Sequence, residues 1–162
     1  MALMQVAQLV KADLGLEVAC VDLGGWDAHS GQGTVTGMMA DAVADLAGGL
    51  SAFYADLGNR MGRITVVTMS EFGRRVKENA SGGTDHGHGG FMFLLGGKVN
   101  GGRIFGNWPG LAADQLIGPG DLAITTDYRT VLAEVVERRL LNPKLGEVFP
   151  GFASPGHLGV AR

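Results

Sequence analysis

Ile64-Thr65-Val66-Val67-Thr68-Met69 is the stretch on which a fold reading turns. Five of its six residues are β-branched. Such side chains lose rotamer freedom in a helix and pack well on a pleated surface, so the run predicts a strand. Working outward, Leu16 to Leu23 is a second apolar run with β-branched residues, closed by Gly24-Gly25. It is continuous rather than alternating, which predicts a strand buried on both faces. Cys20 lies inside it, has no second cysteine to pair with, and reads as a small core residue. Phe91 to Leu95, closed by Gly96-Gly97, predicts a third strand.

Between these runs the period changes. Val35, Met38, Met39, Ala42, Val43, Leu46, Leu50, Phe53, Tyr54 and Leu57 recur at three- and four-residue steps and predict one long helix. Gly48 and Gly49 interrupt it at a cost of about 1 kcal/mol each relative to alanine, so a bend or a close packing contact is expected there. Ala2 to Leu14 predicts a short helix ending near Gly15. A last helix starts at Thr126, the expected cap, with Asp127 in its first turn and Arg138 and Arg139 in its last. Its expected apolar face is Tyr128, Val131, Leu132, Val135, Val136 and Leu140. Glu134 and Arg138 are spaced for a surface ion pair. Asn100 to Gly120 and the proline-bearing tail from Asn142 read as irregular. The order helix, strand, helix, strand, loop, strand, helix implies an α/β fold, a mostly parallel sheet with flanking helices, in a single domain over residues 1–162.

Composition bounds the function. Of 162 residues, 46% are hydrophobic and 18% charged, with a net charge of −3. Typical soluble domains are about 25% charged, so much of this surface expects to be covered by other protein. No Lys/Arg cluster extends beyond Arg74-Arg75 and Arg138-Arg139, which argues against nucleic-acid binding. No apolar run approaches a membrane span. No export signal is visible at Met1 to Val10, so the chain as given reads as cytoplasmic. Ten of the 28 glycines fall in five pairs between apolar runs, Gly24-Gly25, Gly82-Gly83, Gly89-Gly90, Gly96-Gly97 and Gly101-Gly102, where they act as loop punctuation and let backbone approach closely.

In parallel sheets ligands sit beyond the carboxyl ends of the strands, and the chain's polar chemistry collects at those places. Gly25-Trp26-Asp27-Ala28-His29 follows the first predicted strand, Ser70-Glu71-Phe72-Gly73-Arg74-Arg75 the second, and Gly83-Thr84-Asp85-His86-Gly87-His88-Gly89 precedes the third. Residues two apart in extended backbone share a side, so Asp27 and His29 are placed to bind one ion. Asp85 and His86 are candidate ligands in a glycine-bounded loop, with Glu71 and His88 weaker. Imidazoles and carboxylates without a thiolate suit a divalent metal, zinc or manganese foremost. Plainer roles stand beside these: Asp27 closing a turn, His29 capping a helix, Glu71 and Arg74 forming a surface ion pair, His88 solvated in its loop, and His157 incidental in the tail.

The same three stretches, with Trp108-Pro109-Gly110-Leu111 and Thr125-Thr126-Asp127-Tyr128-Arg129, resemble the bacterial proteins grouped as domain-of-unknown-function family 1501, from about Leu14 to Phe152. That family resembles the alkaline phosphatase and sulfatase superfamily. The resemblance implies an alkaline-phosphatase-like domain that is incomplete at its N-terminus here, because relatives carry an export signal, a first strand with a metal-binding acid and a nucleophile region ahead of the matching part. Those full-length relatives look periplasmic. It implies Asp27 and His29 on one metal with His86 completing that site, and Phe72 in place of a histidine after Glu71. The function expected is the metal-binding portion of a hydrolase for small anionic phosphate or sulfate esters, with Arg74 as an anion contact and the remaining half supplied by a missing N-terminal segment or a partner chain. A binding or assembly module of the same fold is the alternative.

Overall fold

The computed structural model describes residues 2–162. In chain order it forms α1 (Ala2–Lys11), α2 (Met38–Leu57), a 3-10 turn (Gly58–Arg63), β1 (Thr65–Val67), β2 (Gly73–Arg74), β3 (His86–Gly87), β4 (Leu94–Gly96), α3 (Tyr128–Arg139) and α4 (Leu145–Val148). The contacts divide it into two compact units. One is Met1–Met61 with Val76–Asp85; the other is Gly62–Arg75 with His86–Arg162.

The first unit packs α1 against α2. Ala7 of α1 and Phe53 and Leu57 of α2 are buried, and Lys11 reaches Asp56 in an ion pair. Gly49 is where the two helices come close: a Cβ there would lie 3.3 Å from Leu3 Cδ1. Of the two outcomes expected at the interrupting pair, a bend or a close packing contact, Gly49 makes the contact, while Gly48 meets nothing within 4 Å. Gly58 ends α2 at φ 49°, donating its N–H to the Tyr54 carbonyl, a conformation that favours glycine because it lacks a Cβ.

In the second unit β1 pairs antiparallel with β4, Val66 opposite Leu95, and β2 pairs antiparallel with β3, Arg74 opposite His86. Its core gathers Val131, Val160 and Ala161, with Met92, Leu94, Phe105 and Leu158 packed around them. The C-terminal residues join this core by backbone bonds, Asn100 N–H to Val160 O at 2.9 Å and Arg162 N–H to Lys98 O at 2.8 Å.

The expected mostly parallel, alkaline-phosphatase-like α/β sheet is not formed. The strands are two or three residues long and both sheets are antiparallel pairs. Leu16 to Leu23 forms no strand; Val18 is 62% and Leu23 46% exposed, and Cys20 is exposed rather than in the core. A parallel strand depends on neighbours along its edges and cover on both faces, and this segment has neither. The strands expected at Ile64–Met69 and Phe91–Leu95 exist only where they pair with each other.

The last helix also departs in detail. Its cap is Asp127, whose side chain accepts from the Arg129 N–H at 2.9 Å, not Thr126. Tyr128 and Leu140, expected on its apolar face, are 54% and 42% exposed. Glu134 is not a surface partner of Arg138. It is 1% exposed, and its carboxylate accepts from the Gly159 and Ala161 N–H groups at 2.9 and 2.8 Å. Arg138 turns to His157, whose Nε2 lies 2.6 Å from Glu137, so His157 is tied into the helix surface rather than incidental.

Candidate functional site

Two loops of the first unit build the site. In the 26–32 loop Ala28 is fully buried while Asp27 and His29 on either side of it are exposed, and the Ala28 and His29 N–H groups donate back to the Trp26 and Asp27 carbonyls at 3.0 and 3.2 Å. The 79–85 loop lies against it. Gly31 N–H donates to Ser81 O at 3.0 Å, Gln32 N–H to Gly82 O at 2.8 Å, and Thr84 N–H to Ala28 O at 3.0 Å. The Thr84 hydroxyl donates to Gln32 Oε1 at 2.7 Å. Gly83 is what allows the approach, because a Cβ there would fall 2.3 Å from the His29 carbonyl carbon and 2.5 Å from the Ala28 and His29 oxygens.

This apposition puts the His29 ring between two carboxylates. Nε2 lies 3.2 Å from Asp27 Oδ1, and Nδ1 lies 3.5 Å from Asp85 Oδ1. All three side chains are between 43% and 63% exposed, so the group is open to ions from solvent. Asn79 ties it together. Its amide nitrogen donates to Asp85 Oδ1 and to the His29 carbonyl, both at 3.0 Å. Its amide oxygen accepts from the Ser81 and Gly83 N–H groups at 2.9 and 3.1 Å. Sequence reasoning passed over Asn79; the available signal was an asparagine two residues before a Ser-Gly-Gly run, where its side chain mimics a backbone turn.

The other sequence candidates belong to the second unit. His86, on β3, stacks on Phe72 with ring centroids 3.8 Å apart, and the Arg74 guanidinium lies 5.7 Å from the Phe72 ring centre. Glu71 is exposed in the bend before β2. His88 is not simply solvated: its Nδ1 lies 2.7 Å from Oδ2 of Asp121, a carboxylate 3% exposed, whose Oδ1 is 3.6 Å from Arg75 Nε. Asp121 was not foreseen either, since nothing in Pro119-Gly120-Asp121 marks a buried acid.

At the start of α3 a pocket of about 340 Å³ opens between Thr125, Asp127 and Phe152. Arg129 clasps Asp127 through Nε and Nη2, the latter at 2.6 Å, and its guanidinium lies 4.6 Å from the Phe152 ring centre. The Arg129 hydrogen bonds hold the Asp127 carboxyl below its usual value, and the same contact raises Arg129.

Against known proteins, the family described as "Protein of unknown function (DUF1501)" matches residues 6–146. No curated protein and no solved structure matches the chain. No helix among the described residues is long and apolar enough to cross a membrane.

Proposed function

We propose, on the premise that the chain belongs to the DUF1501 family of proteins of unknown function, that its Asp27, His29 and Asp85 group serves a divalent cation, zinc or manganese, in the hydrolysis of a small anionic ester. The observation that carries this reading is the imidazole of His29 set between two exposed carboxylates, at 3.2 and 3.5 Å. The donors that face one another at Nε2 fit such an ion: the Asp27 carboxylate and the His29 imidazole nitrogen, with Asp85 on the far side of the ring. A bound ion of this kind supplies Lewis-acid polarisation of a phosphoryl or sulfuryl oxygen. The nucleophile is unassigned.

Calorimetric titration of the chelator-stripped chain with zinc and with manganese tests the reading. We expect binding that Asp27→Asn and His29→Ala each remove. Binding weakens in acid, because a protonated imidazole cannot ligate. His86→Ala tests separately the ligand that the family resemblance implies. A flat titration of the parent, or undiminished binding by Asp27→Asn and His29→Ala, rejects the metal.

One observation favours the second reading, an assembly module. Leu14, Val18 and Leu23 are 73%, 62% and 46% exposed along one irregular segment, and apolar runs of that kind mark surfaces that other protein covers. In that case the titration is flat and sedimentation equilibrium detects association of the chain.

A further inference from the structure

We infer that Asp85 is a positioning residue rather than a metal ligand, and that Asn79 holds it in place, so that His29 presents Nε2 to the ion beside Asp27. This rests on the metal reading above and assigns the roles within it. The geometry separates the two carboxylates. Asp27 faces Nε2 and Asp85 faces Nδ1 of the same ring. A neutral imidazole has one nitrogen that donates and one with a lone pair. Ligation at Nε2 therefore leaves Nδ1 as the N–H, pointing at Asp85 Oδ1. Metal-bound histidines commonly give their second ring N–H to a carboxylate, which sets the tautomer and raises the basicity of the ligating nitrogen.

Asp85 can do this only if its own direction is held. The Asn79 amide supplies that hold from one nitrogen, bonding Asp85 Oδ1 and the His29 carbonyl together at 3.0 Å each. It thus ties the carboxylate to the main chain of the residue whose ring it orients. The Asn79 oxygen is held in turn by the Ser81 and Gly83 N–H groups, so the amide cannot flip without losing contacts at both ends. Asn79 touches neither ring nitrogen, and its effect on an ion passes through Asp85 and His29.

Three measurements separate this assignment from its rivals. Zinc calorimetry on Asn79→Ala and Asp85→Ala is expected to show affinity 10–100-fold weaker than the parent, the usual effect of losing outer-shell support, while Asp27→Asn abolishes binding. Parent-like affinity in both supporting variants overturns the proposal and leaves the metal reading standing. In zinc-loaded protein, 15N shifts of His29 are expected to show the metal on Nε2 and the proton on Nδ1; metal on Nδ1 makes Asp85 a ligand and overturns it. The third arm needs no metal. In Asp27→Ala, which removes the carboxylate at Nε2, neutral His29 is expected in the Nδ1–H form, and adding Asp85→Ala shifts it toward Nε2–H. An Nε2–H ring in the single variant overturns the positioning claim even where the parent binds no ion. Far-ultraviolet circular dichroism identifies a variant that fails to fold; Asp85→Ala, which keeps the Asn79 turn, then decides in place of Asn79→Ala.

Discussion

Replacing Gly83 with alanine tests whether the two site loops are as close as the structure draws them. The added Cβ would sit 2.3 Å from the His29 carbonyl carbon and 2.5 Å from two carbonyl oxygens, against a floor near 3.0 Å for real Cβ contacts. All three atoms are backbone, so no side chain can rotate away, and the loops must part by about 0.7 Å, the difference between 3.0 and 2.3 Å. The bond from Thr84 N–H to Ala28 O, now 3.0 Å, lies directly across the opening, as does that from Asn79 to the His29 carbonyl. Overpacking of this kind costs roughly 1–3 kcal/mol, and weakening two hydrogen bonds adds on the order of 1 kcal/mol. We expect urea unfolding to report a loss of about 2–4 kcal/mol. Zinc affinity should fall at least about tenfold, because metal sites tolerate errors of only ~0.2 Å in ligand distance. Gly24→Ala is the control: it lies in the same unit, meets nothing within 4 Å, and should stay within about 0.5 kcal/mol of the parent. A Gly83→Ala protein as stable as Gly24→Ala, with zinc affinity unchanged, would refute the close approach and the site built on it.

Glu134→Ala should cost about 3 kcal/mol in urea unfolding, since it strands two inward-facing N–H groups that the buried carboxylate now satisfies; the amides of Gly159 and Ala161 should then lose hydrogen-exchange protection, and unchanged protection would contradict the clamp. Asp127→Ala should remove about 1 kcal/mol through loss of the α3 cap. Because Arg129 depresses the Asp127 carboxyl below 3.8, this contribution is complete above about pH 4 and is lost as pH falls through the lower folded value. The gap between parent and variant should therefore narrow in acid, and a gap constant from pH 6 to 2 would exclude it.

What the sequence made legible was local. Period 3.6 marked α2 and α3, although of the face expected for α2 only Phe53 and Leu57 are buried and Val35 lies ahead of the helix, 91% exposed; Gly49 carried a packing signal of its own. The sheet was not legible for the opposite reason. Whether Leu16–Leu23 becomes a strand depends on a partner strand far along the chain, and apolar character alone cannot name one; Val66 finds Leu95 instead. Glu134 shows the same limit from the polar side. Its spacing to Arg138 was visible, while the two N–H groups that take its charge lie 25 and 27 residues away. The candidate site falls between these cases. Its residues announced themselves through short glycine-bounded stretches, with Asp27 paired to His29 and Asp85 a further candidate ligand whose place relative to that ring the sequence did not give. Only the placement of one at Nε2 and the other at Nδ1 of His29 distinguishes them, and that placement depends on a glycine without a Cβ at position 83 and an asparagine at 79. The geometry of such a loop is thus set by Gly83 and Asn79, which have no ligand chemistry of their own, and a search for acids and histidines alone finds the charged groups but not what places them.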